Sequence, residues 1–290
     1  MTDGPTSLLS VWPTGQRDPL EQLRDAGYVP GTDIDLDRIP PAVAAHAITT
    51  YTRPGDLVLD LDCGAGTVLT EALRAGRHTL GLTAHNRWWT LARANVTAAK
   101  TAGGHGDGSV LDARSKALAT NRAAALVGRV GLVLTALRPG PDRDPVEAAI
   151  AELATTFHYC EPLLRPGGHL VVVARPRRHP DGSLVDVTTP LIAAGISAGL
   201  APVDRCIALT AGLRGSRLVS HASLAERRAA ARAAGRPTTL TAHHEVLVFQ
   251  LAHDAELAAE AVADLPSPTG ANVMRLTAAR VEHQGGRRAA

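Results

Sequence analysis

Apolar positions along the chain fall into short runs, broken by polar stretches that carry glycine or proline, and two periods alternate. The spacing predicts strands over 57–61, 79–82, 109–111, 131–135, 169–174, 206–209 and 245–251. Helical spacing is predicted over 19–26, 41–51, 68–75, 87–100, 114–126, 145–164 and within 184–199. Apolar strands alternating with helices read as a mostly parallel sheet covered on both faces, an α/β architecture. Residues 1–40, rich in Pro, Gly and Asp, are expected to form an irregular arm. Residues 41–256 should make one domain, and 257–290 a flexible tail.

Composition adds little and excludes more. The chain has 290 residues, 45% hydrophobic and 20% charged, with only three Trp, three Tyr and two Phe. Its core must therefore be built from Ala, Val and Leu. The net charge of +2 allows a nucleic-acid partner, DNA or RNA, without requiring one. Three cysteines, far apart and with no Cys-x-x-Cys pair, point to no disulfide framework and no metal. With no apolar run near the length of a membrane span and no leader-like start, the expected compartment is the cytoplasm. The oligomeric state is not legible.

The clearest chemical signal is Val58-Leu-Asp60-Leu-Asp62-Cys63-Gly64-Ala65-Gly66-Thr67, a buried strand running through a glycine turn into a helix. Glycines there let a ligand approach the backbone, and the helix start offers free N–H groups. Leu69 stands where a dinucleotide site would want its third glycine, which argues against NAD. The second signal is Leu163-Leu-Arg-Pro-Gly-Gly-His-Leu-Val-Val-Val173, a helix, a tight turn and an apolar strand.

Together with Tyr51-Thr-Arg-Pro-Gly-Asp-Leu-Val-Leu-Asp60, Glu71-Ala72 and Leu91-Ala-Arg-Ala-Asn95, these residues resemble the DNA amino-methyltransferase family and its relatives, the tRNA guanine methyltransferases. The resemblance implies a Rossmann-like class I methyltransferase fold: seven strands, mostly parallel, the last antiparallel, with helices on both faces. It implies S-adenosylmethionine (SAM) as cofactor. Asp60, Asp62, Cys63, Gly64, Gly66, Thr67, Thr83 and Asp112 fall on the cofactor side.

Several positions depart from that pattern. Asp60-Leu61-Asp62 replaces the usual Asp-Pro-Phe. Thr83 stands where an acidic residue normally accepts the ribose hydroxyls; losing a charged hydrogen bond of about 1.5–3 kcal/mol weakens binding roughly ten- to a hundredfold. The catalytic Ser/Asn/Asp-Pro-Pro-Tyr/Phe is replaced by Thr135-Ala136-Leu137-Arg138-Pro139, with neither the polar group that orients the target amine nor the ring that stacks on a flipped base. The DNA-reading insert is missing, and Asp35-Leu36 replaces a His-Pro pair in the arm. The resulting expectation is a nucleic-acid amino-methyltransferase type of protein whose methylation activity is in doubt. The alternative is a catalytically inactive protein of the same fold that binds nucleic acid or a protein partner; a small-molecule methyltransferase is a minor third reading.

Outside the motifs, Ser223-Leu-Ala-Glu226 is a capping box closed by Gly235. Its helix carries Arg227, Arg228 and Arg232, with Arg214 and Arg217 upstream. These arginines are either a solvated face or a phosphate-binding one. His243-His244-Glu245 alternate along a strand, so they are read as structural. Trp88 and Trp89 open the predicted helix 87–100; they are read either as plain core packing or as one ring beside the expected adenine pocket and one on the helix-sheet interface.

Overall fold

The computed structural model of the chain describes residues 9–113, 124–139, 146–179, 182–232 and 239–263. Its strands are β1 (Val11–Trp12), β2 (Leu57–Asp60), β3 (His78–Thr83), β4 (Gly108–Asp112), β5 (Val130–Ala136), β6 (Leu164–Ala174), β7 (Leu200–Leu209), β8 (Gly212–Arg214), β9 (Arg217–Val219) and β10 (His243–Leu251). The helices are α1 (Pro19–Asp25), α2 (Pro41–Tyr51), α3 (Thr67–Arg74), α4 (Asn86–Thr101), α5 (Val146–Cys160), α6 (Thr188–Ser197), α7 (Leu224–Arg232) and α8 (Ala252–Ala263). The predicted helix 114–126 and the capping Gly235 fall largely or wholly outside the described residues.

One sheet of eight strands runs in the order β1-β7-β10-β6-β5-β2-β3-β4. Strand β10 is antiparallel to both neighbours, β6 and β7, and the other pairings are parallel. The Rossmann-like arrangement is therefore the expected one, with one strand more than the seven predicted. The addition is β1, only two residues long and too short to show a period; it extends the sheet by pairing Val11 with Ile207 and Trp12 with Ala208.

Alternation along the central strands divides the core into two layers. Leu132 and Leu134 of β5, with Val246 and Val248 of β10, pack toward α2 and α3 beside Val43, Ala47, Ile48, Val68 and Ala72. Val133, Leu247 and Phe249 face the other way, toward Ile150, Leu153 and Phe157 of α5 and Leu191 of α6. The rings of Phe157 and Phe249 lie 5.6 Å apart. Burying one such side chain contributes about 1.5–3 kcal/mol.

The order reverses between β2 and β5. In an open parallel sheet, a crevice opens at that switch point, outside the carboxyl ends of the strands. The first sequence motif delivers its residues there, whereas the Pro166-Gly167-Gly168 turn of the second lies at the start of β6, at the opposite end of the sheet.

Candidate functional site

Strand β2 ends at Asp60, and the chain turns through Leu61 to Gly66 into α3. Gly64 and Gly66 have φ of +48° and +84°, a region where a side chain is strained. Gly66 also lets α4 come close, since a Cβ there would lie 2.9 Å from the Cα of Ala92. The turn is fastened by the Cys63 N–H donating to Leu82 O at 2.9 Å and by Gly66 N–H donating to Cys63 O at 2.7 Å. Thr67 Oγ1, at the start of α3, is buried without a hydrogen-bond partner.

The space over this turn is taken by the chain itself. Asp35 is buried to 2% exposure. Its Oδ2 accepts the N–H of Ala65 at 2.9 Å, and its Oδ1 accepts from Arg138 Nη2 at 2.6 Å. Arg138 Nε also lies 3.4 Å from Asp62 Oδ2. A Cβ on Gly64 would meet Asp35 Oδ2 at 2.2 Å and the Arg138 nitrogens at 2.5 and 2.8 Å. Glycine at 64 thus tolerates the positive φ and leaves room for the carboxylate and guanidinium that rest on it. Burial opposes the charge of Arg138, but Asp35 and Asp62 outweigh it and raise the guanidinium pKa.

Asp35 is held from three sides. It follows a single 3-10 turn at Thr32–Ile34. Arg38 Nη1 donates to Asp35 O at 2.6 Å. Asn95 of α4, 1% exposed, ties the arm to the turn. Its Oδ1 accepts Val29 N–H at 2.9 Å, and its Nδ2 donates to Thr32 Oγ1 at 2.8 Å and to Ala65 O at 2.9 Å. Further along, Asp37 pairs with Arg177 at 2.6 Å, and Tyr28 Oη donates to Glu71 at 2.6 Å. The arm therefore lies across the crevice instead of beside it. Asp35 and Asn95 did not stand among the expected site residues; Asp35 was legible only as the residue replacing a His-Pro pair.

Burial, then the neighbouring Asp62, pushes Asp60 up to about 8, which keeps it a neutral acid at neutral pH. Burial, then Asp60, raises the Cys63 thiol well above its ordinary value, so it is no nucleophile. Thr83 is buried at the end of β3, and its Oγ1 accepts His85 N–H at 3.3 Å. Asp112 stands opposite Thr83 in the β3–β4 register. Trp89 Nε1 donates to Val110 O at 3.3 Å, while Arg87 covers the Trp88 ring at 5.1 Å.

On the far side of the crevice, Ala136 is paired with Val173 and Leu137 N–H donates to Val173 O at 3.0 Å. Thr135 and Leu137 are buried. A cavity of about 80 Å³ remains between Asp62, residues 135–138 and Glu152, Leu153 and Thr156 of α5. A larger cleft of about 470 Å³ opens at the carboxyl edge, among Arg38, Arg175, His221, Ser223 and His244.

Burial, then Arg175, holds His244 down to about 3, and Glu245 receives Thr188 Oγ1 at 2.5 Å and Arg205 at 3.0 Å. Among the described residues no group of three or more His, Cys, Asp or Glu could hold a metal ion. Ser223 and Glu226 cap α7 reciprocally, at 2.8 and 3.2 Å. Arg214, Arg217 and Arg227 line one open surface pocket. Arg228 lies outside its lining, and the Arg232 side chain lies outside the described ones. Among the described residues no helix is long and apolar enough to cross a membrane.

Residues 9–93 match the family model described as DNA methylase. No curated protein matches the chain. Among solved structures, it is similar to TrmN from Thermus thermophilus at 16% identity and a TM-score of 0.48, covering 80% of this chain and 52% of that one. The chain thus spans about half the length of that protein. A TehB-like SAM-dependent methyltransferase from Corynebacterium glutamicum is 14% identical with a TM-score of 0.43, over 80% and 94% of the two chains. A precorrin-6y C5,15-methyltransferase from Geobacter metallireducens is 12% identical with a TM-score of 0.48, over 74% and 90%.

Proposed function

We propose, from a chain that has the class I methyltransferase fold and matches the DNA methylase family over residues 9–93, that it is a nucleic-acid-binding protein that keeps the frame of an amino-methylase without its methyl transfer. The observation that carries this reading is the Asp35 carboxylate seated on Gly64 and the Ala65 N–H. SAM does not fit the turn while Asp35 and Arg138 hold their places. A ligand entering there would have to break a short, buried, charge-assisted pair.

The acceptor side supports the same conclusion. Amine methylation needs an oxygen that accepts the amine hydrogens and a flat surface for the base. The side chains of Ala136 and Leu137 offer neither, and a guanidinium such as Arg138 can only donate. The cationic Arg138 is also the wrong sign beside a sulfonium. What the chain retains is the sheet, the arm and an arginine-bearing carboxyl edge.

Titration calorimetry with SAM and S-adenosylhomocysteine tests the reading. The native chain should show no binding at millimolar ligand, and no tritiated methyl should pass from SAM to DNA or tRNA. The double variant Asp35→Gly with Arg138→Ala should bind weakly, because the turn is then open but Thr83 still replaces the ribose acceptor. Micromolar binding by the native chain, or methyl transfer, overturns the proposal.

A further inference from the structure

After β7 the chain leaves the carboxyl edge of the sheet and forms the β8–β9 hairpin, whose residues from Leu213 to Val219 are all exposed. Arg214 and Arg217 stand directly opposite each other across the Gly215-Ser216 turn. Like charges at that spacing repel and destabilise the pairing. Arg138, Arg165, Arg175, Arg177 and Arg205 each meet a carboxylate. Among the described residues, Arg214, Arg217 and Arg227 meet none. Arg214 Nη1 donates to neutral oxygens, Gln16 Oε1 at 3.5 Å and Leu213 O at 3.2 Å.

Arg227 of α7 faces the same open pocket, about 460 Å³, along with Leu218, Val219, Ser220 and Leu240. Its guanidinium is held in place by Ala222 O at 3.0 Å and Ser220 O at 3.3 Å. Three cations without a carboxylate therefore converge beside an apolar strip. A free phosphate ion would answer the charge and leave Leu218 and Val219 in water. An acidic peptide offers carboxylates at irregular spacing. A polymer of regularly spaced anions joined by flat, weakly polar units answers both parts of the surface.

We propose that the Arg214–Arg217 hairpin and Arg227 form a phosphodiester-binding site that grips the backbone of a nucleic-acid strand, with Leu218, Val219 and Leu240 against its sugars and bases. This deepens the nucleic-acid reading above and rests on it. The site lies beyond the segment that matches the methylase family, so it would serve binding independently of the cofactor turn.

Fluorescence anisotropy of the full chain with labelled single-stranded DNA, single-stranded RNA and duplex DNA, across a salt series, tests it. Arg214→Ala, Arg217→Ala and Arg227→Ala combined should weaken binding about tenfold or more and lower the salt slope by about two. Arg214→Lys with Arg217→Lys should keep most of the affinity and the slope, which separates lost charge from lost structure. Arg53→Ala with Arg129→Ala, exposed at the opposite edge, should change neither. If the triple variant binds like the native chain, the site assignment falls while the nucleic-acid reading stands. If the native chain binds no nucleic acid, both fall. If it instead binds polyglutamate or phosphatidylserine vesicles through these arginines, the occupant has been wrongly identified.

Discussion

Asp35 and Arg138 stand 103 residues apart in sequence and 2.6 Å apart in space, and they meet over the glycine turn. Each is one of the departures from the pattern that the sequence resembles, Asp35 in the arm and Arg138 just after β5. Asp62, a third departure, flanks the same guanidinium at 3.4 Å. Three substitutions that look like separate losses thus form one cluster, in which a single guanidinium is shared by two carboxylates.

The first prediction is that this cluster is energetically coupled. Removing one partner of a buried pair costs about 3 kcal/mol or more, because the other charge is stranded. Asp35→Ala leaves Arg138 with Asp62 alone, and Arg138→Ala leaves Asp35 with the Ala65 N–H. The double variant should cost less than the sum of the singles by about 1 kcal/mol or more. Urea unfolding of the four proteins measures this, and strict additivity would show that the pair is not formed.

A second prediction separates the two glycines of the turn. A Cβ at 64 meets the ends of flexible side chains, whereas one at 66 meets the backbone of Ala92. Gly64→Ala should cost about 2 kcal/mol, combining the positive φ with displacement of Asp35. Asp35→Ala should relieve part of that cost. Gly66→Ala should be at least as damaging and should gain nothing from Asp35→Ala, since α4 cannot move aside. Equal rescue of both would contradict the assignment of the contacts.

Much of the frame was legible because it rests on periods. Strands such as β5 and β10 alternate toward two different layers, and helices such as α3 present Val68 and Ala72 to the same cluster. The glycine turn was legible because its glycines are spaced as a strand-to-helix turn requires. Strand β1 was not, since two residues carry no period. The meeting of Asp35, Asp62 and Arg138 was not legible either. A single chain shows what each position lacks relative to a family, but not that distant replacements complement one another. Asn95 lies in a segment that resembles the family, yet its role appears only once Val29, Thr32 and Ala65 are brought around it.

A third prediction concerns that asparagine. Its three hydrogen bonds are buried, and each is worth about 1 kcal/mol net, with a further cost for the groups left unpaired. Asn95→Ala should therefore destabilise the chain by about 3 kcal/mol. It should also loosen the arm before the sheet, since Val29 and Thr32 lose their partner while the core layers stay intact. Limited proteolysis should show new cleavage within 29–38 at denaturant concentrations where the domain remains folded. Cleavage that only follows global unfolding would mean the arm is held by other contacts.

The last prediction is a pH dependence centred on Asp60. Burial and Asp62 raise it to about 8, with Arg138 opposing and Asp35 adding to the rise. An unfolded aspartate titrates near about 4. Between those values the folded chain holds a proton that the unfolded chain has released, so stability falls as pH rises from about 4 to about 8. Below that window both states are protonated and the effect vanishes. Asp60→Asn carries no such proton and leaves the rest of the cluster in place. The stability difference, native minus Asp60→Asn, should therefore decline between pH 5 and pH 8, with a slope approaching about 1.4 kcal/mol per pH unit. Unfolding in urea at closely spaced pH values gives that difference directly. A flat difference curve would mean that Asp60 is already ionised at pH 5, and that water or another cation reaches the end of β2 despite the arm lying across it.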